Sequence, residues 1–363
     1  MERYIVVDNA CGWPKLTLMA DGSINLDIHD RPVHGSNDGN AACYKSTDGG
    51  RTFQEYGISG KGTMEEGAFI DKATGRAHNG DYLVVTEKRR FRTTYIFRSS
   101  DGGKTFTETG ILNKSNALAN AYPIPYGSIQ RLPGNKLALH YWINSPAVED
   151  SGGINTHNEA HVCFSNDDGY TWEEDYLIDT DINETAILFF DGQHGIAVGR
   201  MDAAVTNGET ARKDAGGGCR LYRTTDGGVT WECEGTVLGQ EMIPAHLLQL
   251  SSGETLMTYG VRFANLRGVM ACISTDQGRS WKLHSFLVKY PHGDSGYPSS
   301  VELPDGTIVT AYYCQGNEYH TRYHVGVVRW KLSDLCYDIW IDGPRTFRYG
   351  TEEEQQNDWR ING

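Results

Sequence analysis

Five copies of one short motif constrain this chain more than anything else in it. They are Ser46–Phe53, Ser99–Phe106, Ser165–Trp172, Thr224–Trp231 and Ser274–Trp281. Each reads Ser/Thr-x-Asp-x-Gly-x-Thr/Ser-aromatic. A single Asp-Gly turn is commonplace. Five copies whose Asp residues (48, 101, 167, 226 and 276) stand 50 to 66 residues apart mark an array of similar units. The chemistry of the motif is structural. Asp and Gly make a tight turn, with Gly taking a backbone conformation that a side chain resists. The Asp carboxylate and the hydroxyls satisfy turn amides, and the terminal aromatic tucks under the hairpin and pins it to its own sheet.

A second element recurs beside the first: an apolar strand, a Gly turn and another apolar strand. It runs from Pro14 to Leu26, Tyr126 to Gly134, Glu184 to Gly192, Pro244 to Gly253 and Tyr297 to Gly306, with a looser copy from Ala68 to Val85. That makes six units, five of them followed by the motif. Alternation such as Thr307–Tyr313 is common, helical periodicity is scarce, and 43 of 363 residues are Gly. The chain therefore reads as all-β. A repeat array is one cooperative body, so residues 1–341 form one domain and the polar stretch 342–363 a C-terminal tail. The last unit closes by joining His324–Leu332 to the N-terminal strand Tyr4–Val7, which protects edges that an open array would expose.

Net charge is −14, which argues against nucleic acid as a partner, because neutralising phosphates takes clustered Lys and Arg. No run of 18 apolar residues could span a membrane. The start, Met1–Val7, lacks the basic and apolar regions of a signal peptide, so a cytoplasmic protein or a mature secreted form is expected. The eight Cys are scattered without a CxxC pair. Cys43, Cys163 and Cys272 precede their motifs at matching places and read as small buried strand residues. Lys88–Arg90 with Arg92 reads as a solvated hairpin, and Glu352–Gln356 as a solvated run.

The motifs are identified as Asp-boxes, and the chain resembles the sialidase-like (neuraminidase) superfamily. That resemblance implies a six-bladed β-propeller with five Asp-boxes. It also implies an exo-acting glycoside hydrolase that cleaves a terminal α-linked sugar, sialic acid or another acidic or modified sugar, from a glycan. Asn183-Glu184 opens one unit and Arg200 ends its second strand, as in the family. Arg267 lies seven residues before Ser274, at the offset of a further clamp arginine. Gly296–Gly306 is similar to the segment that carries the family's nucleophilic tyrosine. Carried over, Tyr297 is the nucleophile, Glu184 the base that polarises it, and Arg200 with Arg267 the substrate clamp. The acid/base is an Asp of the loop His29–Gly39, with Asp38 better placed than Asp30. A neutral phenol suits a substrate whose anomeric carbon bears a carboxylate, since a carboxylate nucleophile would be repelled there. Arginine's planar fork meets both carboxylate oxygens.

Two positions depart from the family. Its first blade begins Arg-Ile-Pro, where this chain has Gly12-Trp13-Pro14. Its Glu sixteen residues after the tyrosine, which orients that arginine, is Tyr313 here. Losing both is coherent, because a buried Glu without its Arg would be costly. Arg31 is the candidate to replace the lost charge. Trp13 reads either as a stacking face for a sugar or as a core residue.

Histidines supply a competing chemistry. His157 and His161 approach the third motif, His246 starts the fifth unit, and His292 with Asp294 precedes Tyr297. A histidine-dependent glycosidase or polysaccharide lyase on the same scaffold is the alternative enzyme, and a non-catalytic carbohydrate-binding propeller the alternative to enzymes. His320 and His324 have HxxxH spacing, but residues four apart on a strand are about 13 Å apart, too far to share an ion. Nothing in the sequence calls for a metal or an organic cofactor.

Overall fold

The computed structural model describes residues 1–112, 122–144, 158–202, 216–263, 266–290, 293–316 and 320–335. His157, His292 and the expected tail 342–363 lie outside the described residues. Among those described, every regular element except a few short 3-10 turns is a β-strand. Strand β1 (Glu2–Asp8) is followed by a meander of four, β2 (Lys15–Leu18), β3 (Ile24–His29), β4 (Ala41–Ser46) and β5 (Gln54–Gly60). The pattern repeats in β6 (Phe69–Arg76), β7 (Tyr82–Lys88), β8 (Thr93–Ser99) and β9 (Thr107–Ile111). The short β10 (Ile124–Pro125) precedes β11 (Gly127–Arg131), β12 (Leu137–Asn144), β13 (Asn158–Ser165) and β14 (Glu174–Thr180). Two further meanders are β15 (Thr185–Phe189), β16 (Gly195–Asp202), β17 (Gly216–Thr224), β18 (Glu232–Leu238), and β19 (Met242–Gln249), β20 (Thr255–Phe263), β21 (Leu266–Ser274), β22 (Lys282–Tyr290). The last comprises β23 (Ser295–Glu302), β24 (Ile308–Cys314) and β25 (His324–Trp330), and β1 completes it by pairing antiparallel with β25. The N-terminal strand closes the last unit, as the sequence leads one to expect.

Among the described residues the sheets number five, where the sequence points to six separate units. The difference is local. Strand β11 pairs in parallel with β6, Gly127 opposite Ala73 and Ile129 opposite Gly75, and fuses two meanders into one nine-stranded sheet. A Cβ on Gly75 would stand 2.4 Å from the Ile129 carbonyl oxygen, so only glycine admits this approach. The first strands of the meanders touch in a cycle: β2 with β6, β6 with β11, β11 with β15, β15 with β19, β19 with β23, and β23 with β2. They line a shared cavity of about 490 Å³. Apolar side chains fill the spaces between successive sheets. Leu16, Ile24, Leu26 and Ile28, for example, pack against Val301, Val309, Ala311, Val325 and Val327. Each such fully buried side chain contributes roughly 1.5–3 kcal/mol.

The five motif turns fold alike. In the first, Asp48 Oδ1 accepts from Ser46 Oγ at 2.8 Å and from the Arg51 and Thr52 amides at 3.0 Å, while Oδ2 accepts from Thr52 Oγ1 at 2.7 Å. Ser46 Oγ accepts the Gly50 amide at 2.9 Å. The bonds of the two hydroxyls and those of the Gly amide and the amide four residues after the Asp recur at Asp101, Asp167, Asp226 and Asp276. Phe53, Phe106, Trp172, Trp231 and Trp281 each pack into a core cluster. Among the described residues seven cysteines are free, Cys43, Cys163 and Cys272 being buried.

Burial alone would raise the Asp48 and Asp276 carboxyls, but the turn's hydrogen bonds outweigh it and hold both at about 2. These pKa values lie below the unfolded value near 3.9. The stability they supply is therefore complete above about pH 4 and is lost as pH falls toward 2. Asp48→Ala should destabilise the chain by about 1–3 kcal/mol, because several donors lose their acceptor, and should flatten that acid limb. Urea titrations at pH 7 and pH 3 check both; an unchanged midpoint at pH 7 would show that the turn does not staple the sheet.

Candidate active site

Tyr297 stands at the start of β23 with a φ of +52°, a conformation that bulky residues rarely adopt. Its strand carries one extra residue there, since pairing with β24 shifts register between Gly296 and Ser299. Bulges of this kind re-aim a side chain. Matching shifts sit near the start of β6, between Phe69 and Lys72, and of β19, between Met242 and Ala245.

The Tyr297 hydroxyl donates to Glu184 Oε1 at 2.6 Å. Arg200 Nη1 donates to Glu184 Oε2 at 2.6 Å and to the Tyr297 oxygen at 3.1 Å. The three groups thus form a closed triangle of charge-assisted bonds. Glu184 is fixed from behind, its amide bonded to Asn183 Oδ1 and the next amide, of Thr185, to His140 Nε2. Arg200 also lies 3.5 Å from Asp202, which accepts from Asn183 and Asn158. Burial, reinforced by the Glu184 charge, pushes the Tyr297 phenol above its usual range. Burial would weaken the Arg200 cation, but Glu184 and Tyr297 outweigh it.

Arg262, at the end of β20, is the residue that sequence reasoning missed. Its guanidinium carbon lies 5.5 Å from the centre of the Tyr297 ring. The side chain is 7 % exposed, and its Nε and Nη2 have no hydrogen-bond partner. Arg267 stands opposite Arg262 across the β20–β21 hairpin and directs Nη1 to the Gly293 carbonyl at 3.0 Å. A buried guanidinium with idle donors can hydrogen-bond an anion that reaches it.

The floor is charged as well. Lys15 opens β2, is buried, and stands 3.8 Å from the centre of the Tyr126 ring. Burial lowers its ammonium to about 7, with Asp71 and Glu184 pulling the other way. Burial and the neighbouring Glu87 raise the Asp71 carboxyl, opposed by Arg89. Arg89 lies 3.8 Å from Asp71 and 3.4 Å from Glu87, and Lys88 meets Glu66 at 2.9 Å. Arg89, Arg90 and Arg92 are exposed on the β7–β8 hairpin, as read from the sequence, while Lys88 is buried and Arg89 reaches back to two of these carboxylates.

The remaining expected residues divide. Asp38, on the β3–β4 loop, accepts from Ser36 at 2.8 Å and pairs with Arg31 at 3.2 Å. Ser36 first and Arg31 second hold its carboxyl below the usual value. Arg31 is thereby engaged within its own loop. Asp30 accepts twice from Asn40 and acts as a turn residue. Trp13 is 4 % exposed and sits edge-on to Tyr297 at 6.2 Å and to His34 at 5.0 Å, so it belongs to the wall. Tyr313 donates to Asp294 Oδ1 at 2.9 Å. His246 lines the shared cavity, its Nε2 3.5 Å from Ser128 Oγ. His161 stacks on Tyr141 and meets Glu159 and Asp175. His320 precedes β25 instead of lying on a strand, so its ring centre is 4.9 Å from that of His324; the extended-strand spacing assumed from sequence does not apply.

Arg262→Met should raise the denaturation midpoint, because an underpaired buried charge is removed. It should also weaken binding of a carboxylate-bearing monosaccharide roughly 10- to 100-fold, the worth of about 1.5–3 kcal/mol for a charged hydrogen bond. Calorimetry on both proteins checks this. Lower stability with unchanged affinity would make Arg262 a purely structural residue.

A family profile described as the BNR repeat-like domain matches residues 82–310. A search of curated proteins finds no match. Among solved structures, a protein of unknown function from Dyadobacter fermentans superposes with a TM-score of 0.69 at 18 % identity, over 91 % of this chain and 98 % of that one. The Hadza microbial sialidase Hz136 gives 0.68 at 16 % identity, over 92 % and 69 %. An α-L-arabinofuranosidase from Fusarium graminearum, complexed with an iminosugar inhibitor, gives 0.62 at 12 % identity, over 92 % and 99 %. At these identities the likeness is one of fold.

Proposed function

The chain belongs to the BNR repeat-like domain family, and from that premise we propose that it is an exo-acting glycoside hydrolase with a tyrosine nucleophile. Its body is read as a six-bladed sialidase-like β-propeller with five Asp-boxes over residues 1–341, with 342–363 a tail. The observation that carries the function is the triangle of Tyr297, Glu184 and Arg200, with its 2.6 Å bond from the phenol to the carboxylate. Neighbouring folds include a sialidase and an arabinofuranosidase, which supports a glycan substrate and leaves its sugar to the pocket.

In the proposed reaction the Tyr297 oxygen attacks the anomeric carbon of a terminal α-linked sugar. The phenol proton passes to Glu184 Oε1 as the glycosidic bond breaks. Asp38 protonates the leaving oxygen. Water then attacks the same carbon, gives its proton to Asp38, and Tyr297 departs and recovers its proton from Glu184. Because Ser36 and Arg31 favour the ionised form of Asp38, its acid role requires the β3–β4 loop to take it out of that pairing and against the bound sugar, where desolvation raises a carboxyl. The clamp is assigned to Arg200 and Arg262. Arg267 stands behind it, on the Gly293 carbonyl. With the family's first arginine replaced by Gly12, Arg200, the buried Arg262 and Lys15 favour an acidic sugar: sialic acid or another carboxylate-bearing one.

The test is turnover of an aryl α-sialoside beside a panel of other aryl glycosides. Tyr297→Phe should fall to the detection limit and Glu184→Gln should lose roughly 10²–10⁴-fold, on whichever glycoside the wild type cleaves. Activity that survives in Tyr297→Phe would sink the tyrosine mechanism. Saturable glycan binding with no turnover on any member would make the chain a binding propeller.

A further inference from the structure

Three segments far apart in sequence meet beside Trp13. Cys11 comes from the connection between β1 and β2, His34 from the β3–β4 loop, and Asp294 from the connection into β23. One donor atom from each lies within 4.8 Å of the other two. His34 Nδ1 is 2.6 Å from Asp294 Oδ2. Among the described residues this is the one group of three with such spacing.

We propose that Cys11, His34 and Asp294 form a binding site for a divalent transition-metal cation of the zinc type. The donor set is a thiolate, an imidazole and a carboxylate, the mixture that borderline-soft cations select. Thiolate and carboxylate together neutralise a charge of +2. Tetrahedral zinc places such donors about 3.2–3.7 Å apart, so the widest side must contract by about 1 Å. The His34 side chain is half exposed on a loop and can make that movement. Cys11 and Asp294 are anchored: the Cys11 amide donates to the Arg31 carbonyl at 2.6 Å, and the Asp294 amide to Gln315 Oε1 at 3.0 Å. Asp294 also has the outer support that metal-binding carboxylates need, from the Tyr313 hydroxyl at 2.9 Å on Oδ1 and the Tyr323 hydroxyl at 3.3 Å on Oδ2.

On binding, the Cys11 thiol loses its proton to solvent and the thiolate sulfur bonds the cation. Neutral His34 moves its proton from Nδ1 to Nε2, freeing Nδ1 to coordinate. A fourth position stays open to water. The ion would tie the β3–β4 loop, which carries Asp38, to the segment that leads into Tyr297. That positioning effect rests on the reading of Tyr297 and Asp38 given above; the binding site itself does not.

Chelator-stripped protein titrated with Co²⁺ tests the site, because a cobalt–thiolate bond gives a charge-transfer absorption that cobalt bound to oxygen and nitrogen lacks. We expect that band to saturate at one equivalent and to be bleached by Zn²⁺. Cys11→Ser should abolish it. His34→Ala, on a half-exposed loop, should keep the fold and weaken Co²⁺ binding at least tenfold. Cys233→Ser, which removes an exposed cysteine, and Tyr297→Phe should leave the band intact. Absence of the band in the wild type, its survival in Cys11→Ser, or equal affinity in His34→Ala would each overturn the proposal, whatever the hydrolase assay shows.

Discussion

The pairing of β1 with β25 is the contact on which the rest depends. It joins residues more than three hundred apart, from Glu2 opposite Arg329 to Asp8 opposite His324. By anchoring the N-terminus in the last meander, it brings β2 against β23 and completes the cycle of first strands. The Leu16 amide then bonds Ser299 Oγ at 2.9 Å, and Trp13 lies against Tyr297. Without that closure the sheet at each end would expose an edge and an apolar face, and no site assembled from several first strands would exist. Closing so long a loop costs entropy that grows only slowly with length, so one strand pairing with a buried interface suffices to hold it.

Closure gathers charge where water is scarce. Glu184, Asp71 and Glu87 are buried with Arg200, Arg89 and Lys15 near them. A buried ion pair is retained only when its geometry repays desolvation, and the Glu184–Arg200 pair meets that condition with two oxygens and a phenol engaged. Arg262 is held differently, since two of its nitrogens have no hydrogen-bond partner. Its cation is held instead by the Tyr297 ring and by the neighbouring Asp294 charge, which offset its burial.

Much of this was legible before any coordinate. The five motifs announce their own turns, because an Asp, a Gly and two hydroxyls at fixed offsets leave one way to satisfy the local amides. Glu184, Arg200 and Tyr297 stand at unit starts and strand ends, and the structure brings all three together. The losses have physical causes. Arg262 and Arg267 stand opposite each other across one hairpin, and nothing in their spacing says that the Arg262 guanidinium lies over the Tyr297 ring; the neighbouring β23 decides that. The merger of two meanders rests on a single missing Cβ, at Gly75. Cys11, His34 and Asp294 belong to three loops, and loops carry no periodicity by which to predict a meeting. His320 departs from its expected spacing for a simpler reason: it lies ahead of β25, where the rise of an extended strand does not hold.

The site also contains an internal comparison. Adjacent first strands open with the same three-residue pattern, Gly12-Trp13-Pro14 before β2 and Gly296-Tyr297-Pro298 in β23. In both the aromatic residue has positive φ, +40° and +52°. A residue before proline is steered away from the right-handed helical region, and the preceding glycine allows the chain to enter the unusual turn. The two rings therefore project toward each other and meet edge-on, with centres 6.2 Å apart. Backbone strain of this kind, roughly 1–3 kcal/mol at each residue, is the cost of aiming them. One backbone device thus presents two aromatics, and their chemistry separates them. The indole of Trp13 meets His34 and Tyr313 and has no hydroxyl to offer. The phenol of Tyr297 reaches Glu184 and Arg200. If aiming a ring served packing alone, either residue would do in either place; the bond to Glu184 is available only to the phenol of Tyr297.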